Sequence, residues 1–117
     1  MDSNAAVVER LRGRRALSAL FEKGAAGRSR NLLVRLLPSE GAHAPRAAVI
    51  VPKRFGGAVA RNRMRRRLRA ALREVASGAP RADFAVLAGR NAAELAWEDL
   101  KKELRSALRA AGKASAP

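Results

Sequence analysis

Apolar positions along the chain change period several times, and each change marks an element. Ala16, Leu17, Leu20 and Phe21 fall on one helical face, and Gly24 stands where a left-handed C-cap would end that helix. Gly24 to Ser29 is a connector with room for a short edge strand. Asn31 to Leu37 is apolar except for Arg35 and has strand length, closed by the turn chemistry of Pro38-Ser39-Glu40-Gly41. After His43-Ala44-Pro45 a second strand, Ala47 to Val51, is expected to pair with it antiparallel. A helix then starts behind Gly56-Gly57 and runs to about Ala76, where Ser77-Gly78-Ala79-Pro80 breaks it. Ala82 to Ala88 has the character of a buried strand. Asn91 and Glu94 have capping-box spacing ahead of a last helix, in which Ala93, Trp97, Leu100, Leu104 and Leu108 repeat every three or four residues. Glu94, Glu98 and Asp99 sit near its start and Lys101, Lys102, Arg105 and Arg109 follow, the distribution the helix dipole prefers.

This order predicts an α/β chain of the α+β sandwich type: a small mixed sheet of three to four strands with three helices, ordered α-β-β(-β)-α-β-α. A chain of 117 residues supports one core. The expected division is a mobile N-terminal segment 1–12, a single RNA-binding domain 13–111 and a disordered tail 112–117.

Charge narrows the function. Lys and Arg number 25 against 10 Asp and Glu, a net charge of +15, which in so short a chain calls for a polyanionic partner, nucleic acid before membrane. The absence of cysteine excludes disulfides and thiolate metal sites. Met1 to Glu9 holds no apolar run of signal-peptide length, and no stretch approaches the roughly 20 residues of a membrane span, so a soluble cytoplasmic protein is expected.

The charge is also localised. No acid occurs between Glu40 and Glu74, while Arg46, Lys53, Arg54, Arg61, Arg63, Arg65, Arg66, Arg67, Arg69 and Arg73 crowd that interval. At about 100° per residue, Met64, Leu68, Ala71, Leu72 and Val75 form one stripe. Asn62, Arg66, Arg69 and Arg73 lie nearly opposite, with Arg63 flanking. A basic face on a helix with its own core stripe is a rigid array of phosphate ligands rather than a solvated run. Asn62, in the cationic row, either reads a 2′-hydroxyl or base edge or caps the helix start; spacing leaves both open.

Other chemistries are poorly served. A self-sufficient nuclease needs clustered carboxylates on Mg²⁺ or a His pair, whereas Glu74 and Asp83 flank a breaker, His43 stands alone and Asp99 and Glu103 lie in a helix. Gly56-Gly57 lacks the spacing of a nucleotide-binding loop and reads as a tight turn. A membrane-surface helix would want bulkier apolar residues than Met64, Leu68 and Val75, and Trp97 is core-spaced. A structural RNA binder of ribosomal type shares the charge, the size and the lack of an active site.

The segment Val51-Pro52-Lys53-Arg54-Phe55-Gly56-Gly57-Ala58-Val59-Ala60-Arg61-Asn62-Arg63-Met64-Arg65-Arg66-Arg67-Leu68-Arg69 closely resembles the signature of the bacterial ribonuclease P protein component. Arg10 to Arg12, Leu17 to Gly24, Ala82 to Arg90 and Glu94 to Leu108 resemble other parts of that family. The resemblance implies the protein subunit of an endoribonuclease that removes the 5′ leader of precursor tRNA, with the Mg²⁺-dependent hydrolysis performed by the RNA subunit, no catalytic side chain or metal ligand in the protein, and one protein per RNA. It implies contacts to the catalytic RNA by Lys53, Arg54, Arg61, Asn62, Arg63, Arg65, Arg66 and Arg69. A leader cleft would draw on Leu17, Phe21, Leu32, Val34, Arg35, Val49, Val51 and Arg90, with Pro52 at its edge. The family's fold also carries a left-handed crossover. Leu17 and Arg35 replace usual aromatics, Pro52 a usual Ser, Gly57 a usual Asn and Gly89 a frequent Arg, for which Arg90 is the nearest substitute.

Overall fold

The computed structural model describes residues 8–38, 45–76 and 82–115. The expected turn at 39–44 and breaker at 77–80 lie outside these residues. The elements are β1 (Glu9–Arg10), α1 (Arg14–Lys23), β2 (Ala25–Arg28), β3 (Leu32–Pro38), β4 (Arg46–Ile50), α2 (Ala58–Val75), β5 (Ala82–Ala88) and α3 (Trp97–Ser115), with 3-10 turns at Lys53–Phe55 and Arg90–Glu94. The expected helices and long strands are all present. The sheet is mixed and five-stranded, ordered β1-β4-β5-β3-β2; the edge strand allowed between Gly24 and Ser29 forms as β2, and β1 adds a fifth strand beyond the expected three to four.

The expected antiparallel pairing of β3 with β4 does not occur. β5 lies between them, antiparallel to β3 and parallel to β4. The physical reason is the composition of β5, Ala-Asp-Phe-Ala-Val-Leu-Ala, in which five of seven residues are buried, pointing to both faces. Such a strand loses most apolar burial at an edge, so it takes the centre.

One face of the sheet carries Leu32, Val34, Leu36, Ala47, Phe84 and Val86 and is covered by α2 and α3 through Met64, Leu68, Leu72, Leu100 and Leu104. The other face meets α1, where Leu20 and Leu11 pack with Ala85. β2 approaches α3 so closely that a Cβ on Gly27 would collide with the Ala111 backbone nitrogen and the Ala107 oxygen, so glycine is required there by contact rather than by dihedral.

Several boundary expectations are corrected. The folded part starts before residue 13: Glu9–Arg10 pairs with β4, and Leu11 is buried and donates its N–H to the Ala47 oxygen at 2.9 Å. Residues Gly112–Ser115 are helical rather than tail, because Ala111 still packs in the core. The Asn91–Glu94 capping box is not formed. Those residues lie in a 3-10 turn without a side-chain cap, Leu95 is extended, and α3 begins at Trp97 with Ala93 left exposed. Gly24 is likewise no left-handed cap; its φ is −71°, and a Cβ there would collide with the Leu20 oxygen.

Candidate nucleic-acid interface

α2 carries the basic face. Its stripe Met64, Leu68, Ala71 and Leu72 is buried, and Asn62, Arg63, Arg66 and Arg73 on the far side are exposed. Burial of the stripe against a sheet fixes the rotation of the helix about its axis, so the guanidinium origins are held in place and only side-chain torsions remain to be ordered on binding. Lys53 and Arg54 are exposed on the 3-10 turn just before it.

Several cations of this region have internal partners. Arg61 Nε donates to the Gly56 oxygen at 3.2 Å, and Arg67 donates to the Leu95 oxygen at 2.5 Å. Arg65 donates to Asn62 Oδ1 at 2.7 Å. Asn62 therefore does not cap α2, whose N-cap is Gly57; it stands a turn inside the helix, exposed, and holds Arg65 through its oxygen. Arg46, from the same acid-free interval, is committed elsewhere: it makes a bidentate pair with Asp83 at 2.8 and 2.9 Å that raises its pKa through the carboxylate hydrogen bond. Arg69 behaves oppositely. Burial first, then the like charges of Arg10 and Arg65, lower its pKa.

The second surface lies on the α1 side of the sheet. The register places Arg28, Leu33, Leu87 and Ile50 side by side across β2, β3, β5 and β4. Together with Pro52 they floor a groove of about 420 Å³ whose rim carries Arg30, Arg54 and Arg90. One row along the same face, Arg35 stacks over the half-exposed Phe21 ring with its guanidinium carbon 5.8 Å from the centroid, and donates to the Phe21 and Gly24 oxygens at 3.4 and 3.3 Å.

The cleft residues expected from resemblance are thus divided between two sides of the sheet. Leu32, Val34 and Val51 are buried beneath α2 and α3 and cannot line an open surface. Val49 points to that same side, half-buried near Arg69 and Arg73. Leu17 packs between α1 and the sheet, Phe21 and Arg35 form the stack, and Arg90 lies at the groove. The error is one of strand phase, and a slip of one residue exchanges the faces. The missed groove residues Leu33, Ile50 and Leu87 had a signal: Arg35, the one charge in β3, marks the less covered face, and Leu33 shares its parity.

A polar clamp holds the groove's outer wall. Glu103 of α3 accepts hydrogen bonds from Ser29 Oγ, the Asn31 backbone N–H and Asn31 Nδ2, each at 2.8 Å. Burial alone would raise this carboxyl, but the bonds from Asn31 and Ser29 outweigh it and hold its pKa below the ordinary value. Gly89 completes the wall by donating its N–H to the Asn31 oxygen at 2.8 Å. Among the described residues no group of three or more His, Cys, Asp or Glu could hold a metal ion, and no helix is long and apolar enough to cross a membrane.

Known proteins resemble this arrangement along most of the chain. The ribonuclease P family profile matches residues 6–112. The ribonuclease P protein component of Shouchella clausii is 34% identical over 104 residues, covering 88% of this chain and 85% of the relative. That of Streptococcus thermophilus is 34% identical over 102 residues, covering 87% and 91%. The RNase P protein structure from Staphylococcus aureus superposes with a TM-score of 0.78 at 21% identity over 92% of this chain and 97% of that one, and the Thermotoga maritima protein with 0.72 at 24% over 82% and 91%. These matches separate the chain from a ribosomal-type RNA binder, a distinction that charge and size left open. On both sequence and fold, the chain belongs to the bacterial ribonuclease P protein family.

Proposed function

We propose that this ribonuclease P subunit holds the enzyme's catalytic RNA on the exposed face of α2 and guides the 5′ leader of precursor tRNA along the sheet groove, while the RNA performs the endonucleolytic cleavage. The observation that carries the reading is the helix itself: Arg63, Arg66 and Arg73 are exposed on one side of an element whose other side is buried. Guanidiniums presented by a fixed rod can each replace a condensed counterion on phosphate, giving affinity whose logarithm falls linearly with log salt. Lys53, Arg54, Arg61, Asn62, Arg65 and Arg69 extend this surface in the proposal.

In the groove, Leu33, Ile50 and Leu87 offer an apolar floor to base faces while Arg28, Arg30, Arg54 and Arg90 meet the leader's phosphates. The stacked Phe21 and Arg35 supply a flat platform in a chain without tyrosine. Mg²⁺ would activate water and neutralise phosphate charge. With no fitting cluster of ligands among the described residues, the proposal assigns it to the RNA and gives the protein only binding and orientation. One protein per RNA, acting in the cytoplasm, completes the reading.

The test mixes the chain with bacterial ribonuclease P RNA and labelled precursor tRNA at low Mg²⁺. Leader removal should be stimulated; failure to stimulate sinks the assignment, and cleavage without RNA overturns the division of labour. Replacing Arg61, Asn62 and Arg63 together by alanine should weaken RNA binding and flatten its salt dependence.

A further inference from the structure

A separate concavity opens beside the basic face. The 3-10 turn at Lys53–Phe55 and the first turns of α2 form one wall and the Ala93–Leu95 segment the other, enclosing about 800 Å³. Phe55, Val59, Met64 and Leu95 line it together with Arg63 and Arg67, and among the described residues no acidic side chain contributes. Val59 is 84% exposed; among the described residues the other exposed large hydrophobic is Phe21 at 38%. A lone exposed valine calls for no explanation, but one that continues an apolar hollow with Phe55 and Leu95 does.

The two arginines are four residues apart and differ in role. Arg67 is tied to the Leu95 carbonyl, which joins α2 to the opposite wall. Arg63 is exposed and belongs both to this lining and to the edge of the basic face. The hollow therefore asks for a ligand with a flat apolar body attached to an anion that follows the basic face. An acidic peptide would supply the charge but not the short, rigid link between ring and anion. A nucleotide supplies both.

We propose that this hollow receives one unpaired nucleobase of the RNA held by α2, its ring against Phe55, Val59 and Leu95 and its phosphate on Arg63. The inference rests on the reading of α2 as the RNA-holding face. It adds a site that recognises a flipped or single-stranded nucleotide rather than charge alone.

Val59→Gln tests it, since Val59 lies outside the core and its replacement spares the fold. Titrated with bacterial ribonuclease P RNA over a salt series, V59Q should bind about tenfold more weakly, as expected for the loss of one stacked or inserted base. The log–log salt slope should stay unchanged because no phosphate ligand is removed. Arg63→Ala is the control and should lower the slope. If V59Q binds like the parent while R63A is weakened, the base site is wrong and the basic face stands; if both bind like the parent, both fall. A benzophenone amino acid at position 59 should crosslink to an unpaired nucleotide of that RNA. Crosslinks confined to base-paired nucleotides, to a second copy of the chain, or to nothing would overturn the proposal.

Discussion

The basic face of α2 and the groove on the sheet are both arginine-rich, yet they are built differently. On α2 one residue type repeats on a helix, so its display follows from the angle between successive residues and a single buried stripe. In the groove the floor is a row drawn from β2, β3, β5 and β4 and the arginines of the rim come from separate stretches of chain. The first surface needs only one element to be correctly rotated. The second exists only when the sheet order, the register and the β2–β3 turn are all in place. The difference predicts that α2 dominates salt-dependent affinity while the groove supplies discrimination by shape and apolar contact.

The strongest test of that contrast is parity. Leu32→Ala, beneath α2 and α3, should cost about 2–5 kcal/mol of stability in denaturant unfolding, with leader binding lost only in proportion to unfolded protein. Leu33→Ser, one residue on, should barely change unfolding but weaken precursor tRNA relative to mature tRNA by about tenfold, on the order of 1.4 kcal/mol. Equal effects from the two would erase the distinction between core and groove.

Glu103→Gln probes the clamp on the groove wall. Removing the charge from its three hydrogen bonds should cost on the order of 1 kcal/mol after allowance for solvent. Because the folded carboxyl lies below its ordinary value, that stability is present above the unfolded pKa, about 4.3, and disappears as pH falls through the lower folded value. The difference in Tm between parent and variant should therefore shrink on acidification below about pH 4.3; a constant gap would show that the charge is not what holds the turn. The smallest effect is expected from Arg46→Met. It should lower stability by about 0.5–1 kcal/mol through loss of the Asp83 pair and leave the salt slope of RNA binding unchanged, whereas a reduced slope would place Arg46 on the binding surface.

Much of the molecule was legible along the chain. The extents of α2 and β5, the core stripe of α2 and the exposed arginines opposite it follow from local periodicity, which needs no knowledge of neighbours. Strand pairing was not legible, because any two apolar strands can pair and only the competition for the doubly covered central place decides which do. The cleft residues failed for a related reason: Leu32 and Leu33 are chemically identical, and the face each takes depends on which side α2 and α3 cover. The capping box failed because Asn91 and Glu94 have the right spacing but Leu95 turns the chain out of helix before Trp97.

Sequence by itself determined that this protein presents a rigid cationic helix, and its motif identified the family, since both are properties of residues close together in the chain. Tertiary structure alone decided which arginines remain exposed. Arg46 and Arg63 carry the same charge within the same acid-free interval, yet Asp83, distant in sequence and adjacent in the sheet, holds one of them, and the other stands exposed between the basic face and the hollow beside it.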